Sequence, residues 1–364
     1  MSLHSIYFLV AWASKKQRTW SGTCWGLFQA LSSITDVRDI CITVPTPLII
    51  RLLRKLHLMK DDSDIHRLKK QRAIASPIIK EEGHKDALIQ FGDVIDDSCG
   101  TPTYLYIDMS ADAMVHLMKS DPSTFSVSGR QVCSAKTLIK RASIQNKYFE
   151  NCSGVFTMGQ WMADDLIHRQ GIAYEKVHHV GGGVNVDISQ VDYSQKKGNK
   201  FLFVGRDFVR KNGPLVYQAF RLLHQKHPEW ELHIAGPKSN PYPNDSTGQF
   251  FFHGECEGKS LATLYNLCDV FVMPSRFEAY GLVFIEALTY GLPCIGRKAY
   301  EMPYFIQDGV TGRLLEDQEP KALALLMEEV ITSQDYFTNV REQRDYYTRE
   351  YSWDCVVSRI LAAV

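Results

Sequence analysis

Glu278 and Glu286 stand eight positions apart in CDVFVMPSRFEAYGLVFIEALTYGLPCIG, residues 268–296. Ionised carboxylates are strong acceptors for hydroxyl groups. Eight helical steps leave two side chains about 80° apart and more than two turns distant, so the pair is not a same-face ladder. The pattern puts one glutamate in a loop at the mouth of a helix and the other inside it. Between them, the amides of Gly281, Leu282 and Val283 are first-turn donors with no intrahelical acceptor, a ready place for an anion. A phosphate at the helix start with sugar hydroxyls on either side would use all of these groups. A plainer account is also open, one glutamate facing the helix dipole and one solvated. Spacing alone does not choose.

A second cluster has matching chemistry. Lys200 to Val204 reads as a strand that enters Gly205-Arg206-Asp207-Phe208-Val209-Arg210-Lys211-Asn212-Gly213, with a helix after it. A glycine and two or three cations at the carboxyl end of a strand suit a diphosphate, Arg as a fork and Lys as a point charge. Asp108 ends the strand Tyr104–Ile107, where ligands of open α/β sheets gather, or it caps the helix Ala111–Lys119. Gly22 closes the first strand-to-helix loop and would let backbone approach a ligand. Asp62-Ser63-Asp64 spells DxD, but it interrupts a charged helical stretch and does not follow an apolar strand. We expect a solvated loop there, no metal and no cofactor.

The run PSRFEAYGLVFIEAL with GLPCIG after it closely resembles the glutamate-pair motif of retaining glycosyltransferases of the GT-B fold, family 4 (group 1). The likeness is strong over 150–316 and at the C-terminus, and loose over 1–150. It implies an α/β chain with two doubly wound, Rossmann-like parallel-sheet domains facing a cleft. The expected divisions are 1–188 for the acceptor, 189–350 for the nucleotide sugar, and a helix over 351–364 that crosses back to the first domain. It implies transfer of a sugar from a nucleotide-diphosphate donor to an acceptor hydroxyl with retained configuration and no metal, a hexosyl-transferring type of reaction. Arg206 and Lys211 would contact the diphosphate, Glu286 the ribose and Glu278 the sugar. Gly22, Gly205, Tyr280, Gly281, Leu282 and Val283 would complete the donor site. The backbone near Cys256 would meet the base, and Asp108 would lie near sugar and acceptor, giving Arg206, Lys211, Glu278 and Asp108 the catalytic roles. The chain also departs from the family pattern. Asn212 separates Lys211 from Gly213, which makes Arg210 an alternative cation. Tyr300-Glu301 replaces a Gly-Gly in the expected pocket wall, and Gly182-Gly183-Val184-Asn185 replaces the usual hinge. Two other readings use the same fold: a nucleotide-sugar epimerase, and a non-catalytic partner subunit.

The elements that must hold these residues alternate between strand and helix, which implies parallel sheets. Strands are expected at Ile6–Ala11, Ile40–Val44, Phe91–Ile95, Tyr104–Ile107, Gly154–Met158, Lys176–Val180, Leu232–Ala235, Val270–Met273 and Cys294–Gly296. Helices are expected over Gln160–Arg169 and Ser260–Leu267, a polar linker over Ser189–Asn199, and a closing hairpin over Asp308–Leu315.

At 364 residues the chain suits two domains. Its apolar content of 45% and charged content of 23% are those of a globular protein. No stretch approaches the ~20 apolar residues of a membrane span, and no leader pattern is visible. Nine scattered cysteines with no CxxC pair fit free thiols in the cytoplasm. Zero net charge offers no excess for nucleic acid. Local charge is another matter. Arg51, Arg54, Lys55, Lys60, Arg67, Lys69, Lys70 and Arg72 interleave with leucines, against Asp61, Asp62 and Asp64. Such an amphipathic basic helix is either a solvated face or a peripheral contact with anionic membrane. Donor, acceptor (glycan, lipid-linked or small molecule) and that surface are the expected partners.

Overall fold

The computed structural model describes residues 5–46, 64–192 and 199–364. It divides into two units, Met1–Gly183 with Ser352–Val364, and Val184–Tyr351. Each is built on one six-stranded sheet in which every described pairing between strands is parallel.

In the first unit the order is β2-β1-β3-β4-β5-β6, with β1 Ser5–Val10, β2 Asp36–Cys41, β3 Ala87–Gln90, β4 Thr103–Ile107, β5 Gly154–Thr157 and β6 Val177–His179. Strands β3, β4 and β5 are buried throughout, and β1 is buried after its first residue. That is the pattern of strands covered by helices on both faces. Edge strand β2, DVRDIC, alternates instead. The intervening helices include α1 Thr23–Ser32, α2 Asp64–Glu82, α3 Ala111–Ser120, α4 Ala135–Glu150 and α5 Gln160–Asp164.

In the second unit the order is β12-β11-β10-β7-β8-β9, with β7 Lys200–Val204, β8 Glu231–Ala235, β9 Phe250–Gly254, β10 Val270–Val272, β11 Cys294–Arg297 and β12 Gly312–Leu315. The chain leaves β7 toward β8 and β9, then returns to the other side of β7 for β10. The order therefore reverses between β7 and β10. In doubly wound sheets, ligands bind in the crevice outside the carboxyl ends of the strands at that switch. Helices α6 Gly213–His224, α7 Lys259–Leu267 and α8 Leu282–Thr289 follow β7, β9 and β10. The ends of this unit are tied by a bond from Val184 N–H to the Tyr351 carbonyl, 2.9 Å.

The last helix, α9 Trp353–Ala363, belongs to the first unit. Trp353 lies flat against backbone: a Cβ on Gly26 of α1 or on Gly183 would sit 2.2 or 2.3 Å from its indole. Glycine at both places is what allows this packing. The Tyr104 hydroxyl donates to the Ala363 carbonyl, 3.1 Å, and Arg359 to the Val180 carbonyl, 3.4 Å.

Several local expectations are corrected. Residues 91–95 are not a strand; the strand is Ala87–Gln90. The buried Gln90 amide is the reason. It accepts from the N–H groups of Val94 and Ile95 at 3.0 Å and donates to the Ile95 carbonyl at 2.6 Å, folding the chain back on itself. The strand expected at Ile40–Val44 begins earlier, at Asp36, because its edge position tolerates charged residues. The helix after β5 relaxes into a π-helical turn over Asp165–Arg169. The segment Asp308–Leu315 is not a hairpin; β12 pairs parallel to β11 from Cys294↔Gly312 onward. Of the basic stretch 51–72, residues 51–63 lie outside the described residues, as do Asp62 and Ser63 of the DxD sequence. The remainder opens α2. None of the nine cysteines is in a disulfide.

Candidate functional site

The loops that leave β7 and β10 diverge at the switch point and bring Lys211 and Glu278 together. Glycine makes this approach possible. A Cβ on Gly205 would lie 2.8 Å from Lys211 Cγ, so only glycine lets the lysine stem fold back over the strand end. Gly236, at φ +113, has no room for a Cβ against the Gly205 backbone at 2.5 Å. The strand ends β7 and β8 are thus in backbone contact. Asn212 takes a left-handed conformation, φ 62 and ψ 32, and starts α6. Asparagine is among the side chains that tolerate this region best. The Asn-Gly departure from the family pattern is therefore a helix start, and Lys211 keeps its inward place.

The two loops are stitched to each other. Arg276 N–H donates to the Arg210 carbonyl at 2.9 Å, and the buried Ser275 hydroxyl donates to the Phe277 carbonyl at 2.9 Å. Arg210 donates to the Phe277 carbonyl at 2.9 Å, and its guanidinium lies 3.9 Å from Glu278. The Lys211 ammonium donates directly to Glu278 Oε2. Both side chains are buried, 11% and 9% exposed. Burial lowers the Lys211 ammonium from its ordinary value, while Glu278 works against that. The sequence places Lys211 in the loop after β7, and the structure shows it as a buried cation held by the first glutamate.

Gly281, at φ 100, is the N-cap of α8 and supplies no capping side chain. A Cβ there would meet Glu278 Cγ at 3.0 Å, so the glycine brings Glu278 against the helix start. Leu282 and Val283 are the first residues of α8, and their amides carry the positive end of the helix. Within α8, partly buried Glu286 accepts from the Tyr265 hydroxyl of α7 at 2.9 Å. Burial raises the Glu286 carboxyl from its ordinary value, and the Tyr265 bond only partly offsets this. Tyr265 and the carbonyl contacts of Arg210 were not legible in the sequence; nothing marks a helical tyrosine as the partner of a glutamate on the next helix.

Arg206 stands apart from this cluster. It is 65% exposed and pairs with Glu257. Cys256 is next to that glutamate, its thiol 3.6 Å from the His253 carbonyl. Tyr280 is buried, edge-on to Phe305 at 5.1 Å. Tyr300 takes φ 55, a left-handed conformation where glycine would be unstrained, and Glu301 beside it is buried.

Gly22 and Asp108 belong to the first unit. Gly22, at φ 95, is the N-cap of α1, and Trp20 and Ser21 before it also have positive φ. Asp108 does not cap the helix that follows. Ser110 does, accepting from Ala113 N–H at 3.0 Å. Asp108 instead directly follows β4, within electrostatic reach of Cys24 and Tyr106.

A pH dependence follows from Glu286. Its folded value lies above the unfolded one, so this group's contribution to stability is present at low pH and fades as pH rises through the raised value. Binding through the ionised form has the opposite sign. Affinity for any hydroxyl-bearing ligand held through the ionised Glu286 is expected to fall as pH drops through a window above the ordinary carboxylate value of 4.5. In Glu286→Gln that acid limb should vanish, while melting temperature at neutral pH is unchanged or higher. Calorimetric titrations across pH, beside thermal melts, check both signs.

Residues 187–351 match the family model described as Glycosyl transferases group 1. The chain is 24% identical to the serotype-specific mannosyltransferase WbdA of Escherichia coli over 56% of its own length and 28% of that protein. It is 28% identical to D-inositol 3-phosphate glycosyltransferase 1 of Catenulispora acidiphila, over 55% of this chain and 54% of that one. The chain thus spans about a quarter to a half of these relatives. Among solved structures, Anabaena Alr3699/HepE, in complex with UDP and glucose, superposes with a TM-score of 0.68 at 15% identity, over 99% of this chain and 100% of that one. That likeness is one of fold, and the fold of this chain is GT-B.

Proposed function

We propose that this chain, with a group 1 glycosyltransferase domain over residues 187–351 on a GT-B fold, moves a sugar from a nucleotide-diphosphate donor to an acceptor hydroxyl with retained configuration. The observation that carries this reading is the switch-point cluster, Lys211 and Glu278 beside a glycine-capped helix start. Preorganised cations and amides of this kind stabilise charge on a leaving group. Glu278 neutralises Lys211 in the structure. An incoming diphosphate takes over that role with Arg206 and the amides of Leu282 and Val283. Glu278 is then released to the sugar hydroxyls, and Glu286 holds the ribose. The bond from the anomeric carbon to the diphosphate oxygen breaks. The acceptor oxygen bonds to that carbon from the same face, and its proton passes to the departing phosphate oxygen. The backbone near Cys256 meets the base, and Tyr280 stiffens the wall behind Glu278. The acceptor is a glycan, a lipid-linked sugar or a small molecule.

No helix among the described residues is long and apolar enough to cross a membrane. Among them, no group of three or more His, Cys, Asp or Glu side chains is placed to hold a metal. In this reading Lys211 and Arg206 meet the charge on the diphosphate, and transfer is expected to persist in excess chelator. A loss restored by manganese or magnesium would contradict this.

The test is a panel of nucleotide sugars screened by thermal shift, then incubation of the binder with candidate acceptors. Saturation at about a hundred times the dissociation constant adds ~2.7 kcal/mol, a visible shift. The product's anomeric configuration is read by NMR. A retained linkage supports the reading. An isomerised donor with no transfer would identify an epimerase, and binding without turnover a non-catalytic subunit.

A further inference from the structure

In the first unit an open cleft of about 440 Å³ lies between α2 and α4. It is lined by His66 and Lys69 from α2 and by Ser134, Lys136, Thr137 and Lys140 from the start of α4, with no carboxylate. Several cations elsewhere in this unit are matched to carboxylates: Lys16 to Asp39, Arg38 to Glu82, Lys85 to Asp36, Arg141 to Asp93 and Arg169 to Asp112. Lys69, Lys136 and Lys140 have no ion pair among the described residues. Surface lysines usually spread into water along their stems. Three that converge on one concave space, beside two hydroxyls, repel one another until an anion joins them.

The place of the cleft in the fold gives it a direction. Helix α2 leads into β3 and α4 into β5, and these strands are parallel to the rest of the sheet. The first turns of both helices therefore lie at the carboxyl edge, where ligands of such sheets collect. Asp108, directly after β4, is on the same edge. None of the proposed donor residues takes part.

We infer that this cleft binds a phosphate group, with Lys69, Lys136 and Lys140 as counter-charges and the Ser134 and Thr137 hydroxyls as further hydrogen-bonding groups. A phosphate fits several point cations and hydroxyls at once. It can belong to a soluble phosphate-bearing molecule or to a lipid headgroup. Ile139, 49% exposed on α4 between two of the lysines in sequence, is an aliphatic that a lipid surface would cover.

The experiment compares wild type with a variant combining Lys69→Ala, Lys136→Ala and Lys140→Ala, and with the matching Lys→Arg variant. These side chains are exposed, so melting temperatures should agree. Pyrophosphate is titrated into each and into Lys211→Ala. Separately, each protein is sedimented with phosphatidylcholine vesicles with and without phosphatidylglycerol. Wild type is expected to take two pyrophosphates, the alanine variant one, and the arginine variant two. If the donor reading alone fails, Lys211→Ala matches wild type while the alanine variant still loses a site. A loss of roughly tenfold or more in the alanine variant, confined to pyrophosphate, identifies a soluble ligand. A similar loss on anionic vesicles identifies a headgroup. Wild-type pyrophosphate stoichiometry and wild-type vesicle binding in the alanine variant would overturn the inference.

Discussion

Lys211→Ala is expected to slow transfer by at least roughly a hundredfold, since loss of one preorganised charge donor commonly costs ~3–4 kcal/mol of transition-state stabilisation. It should also destabilise the protein. Removing one partner of a buried ion pair leaves the other charge uncompensated, at a cost of about 3–5 kcal/mol. Glu278 would be left with only the Arg210 guanidinium, at 3.9 Å. At roughly 2–4 °C per kcal/mol for a unit of this size, the melting temperature should drop by about 6–20 °C. The two effects separate in a double variant. Lys211→Met with Glu278→Gln removes both charges, so stability should largely return while transfer stays lost. Steady-state rates beside thermal melts give the comparison. Wild-type turnover in Lys211→Ala would remove the lysine from the diphosphate. A double variant as unstable as the single one would mean the pair is not the source of the stability loss.

Arg206→Ala should give the same loss of transfer, roughly a hundredfold, with no measurable change in melting temperature. Its guanidinium is 65% exposed, and its pairing with Glu257 is of the surface kind worth about 0–1 kcal/mol. One loop thus holds two cations of opposite character. Lys211 is preassembled and enclosed, whereas Arg206 must leave Glu257 to reach a phosphate. Glu257→Gln should therefore preserve transfer and slightly tighten the donor, which a KM measured beside kcat will show. Unaltered transfer in Arg206→Ala would leave Arg210 and Lys211 as the phosphate cations.

The sequence made the cluster legible because its signals are local. Strand, glycine and cations over 200–213, and strand, turn and helix over 270–289, each follow from adjacent residues, and parallel-sheet logic places both loops at one edge. What it could not give depends on contacts between distant residues. Lys211 is enclosed only because a loop 67 residues later folds over it. Glu286 is tuned by Tyr265, on a different helix. Gly236 could be read as a strand end, but its backbone contact with Gly205 needs both strands in register. Gln90 misled for a similar reason: Phe91–Ile95 has the composition of a strand, and one buried amide side chain turns it into a loop. At Asp108 the sequence left two readings, and the neighbouring serine removed one by capping the helix itself.

The central claim is that the switch point of the second unit holds a nucleotide diphosphate, with Glu286 on the ribose and Glu278 on the sugar. Calorimetric titration of the bare nucleoside diphosphate into wild type, Glu286→Gln and Glu278→Gln tests it most directly. Wild type should bind one equivalent. Glu286→Gln should bind more weakly, because an uncharged amide makes weaker bonds to hydroxyls. Glu278→Gln should bind as well as wild type or better, because Lys211 no longer has a carboxylate to leave, and yet should fail to transfer. Equal weakening in both variants would place Glu278 on the nucleotide, and unchanged binding in both with intact transfer would leave the two glutamates as structural carboxylates and contradict the account.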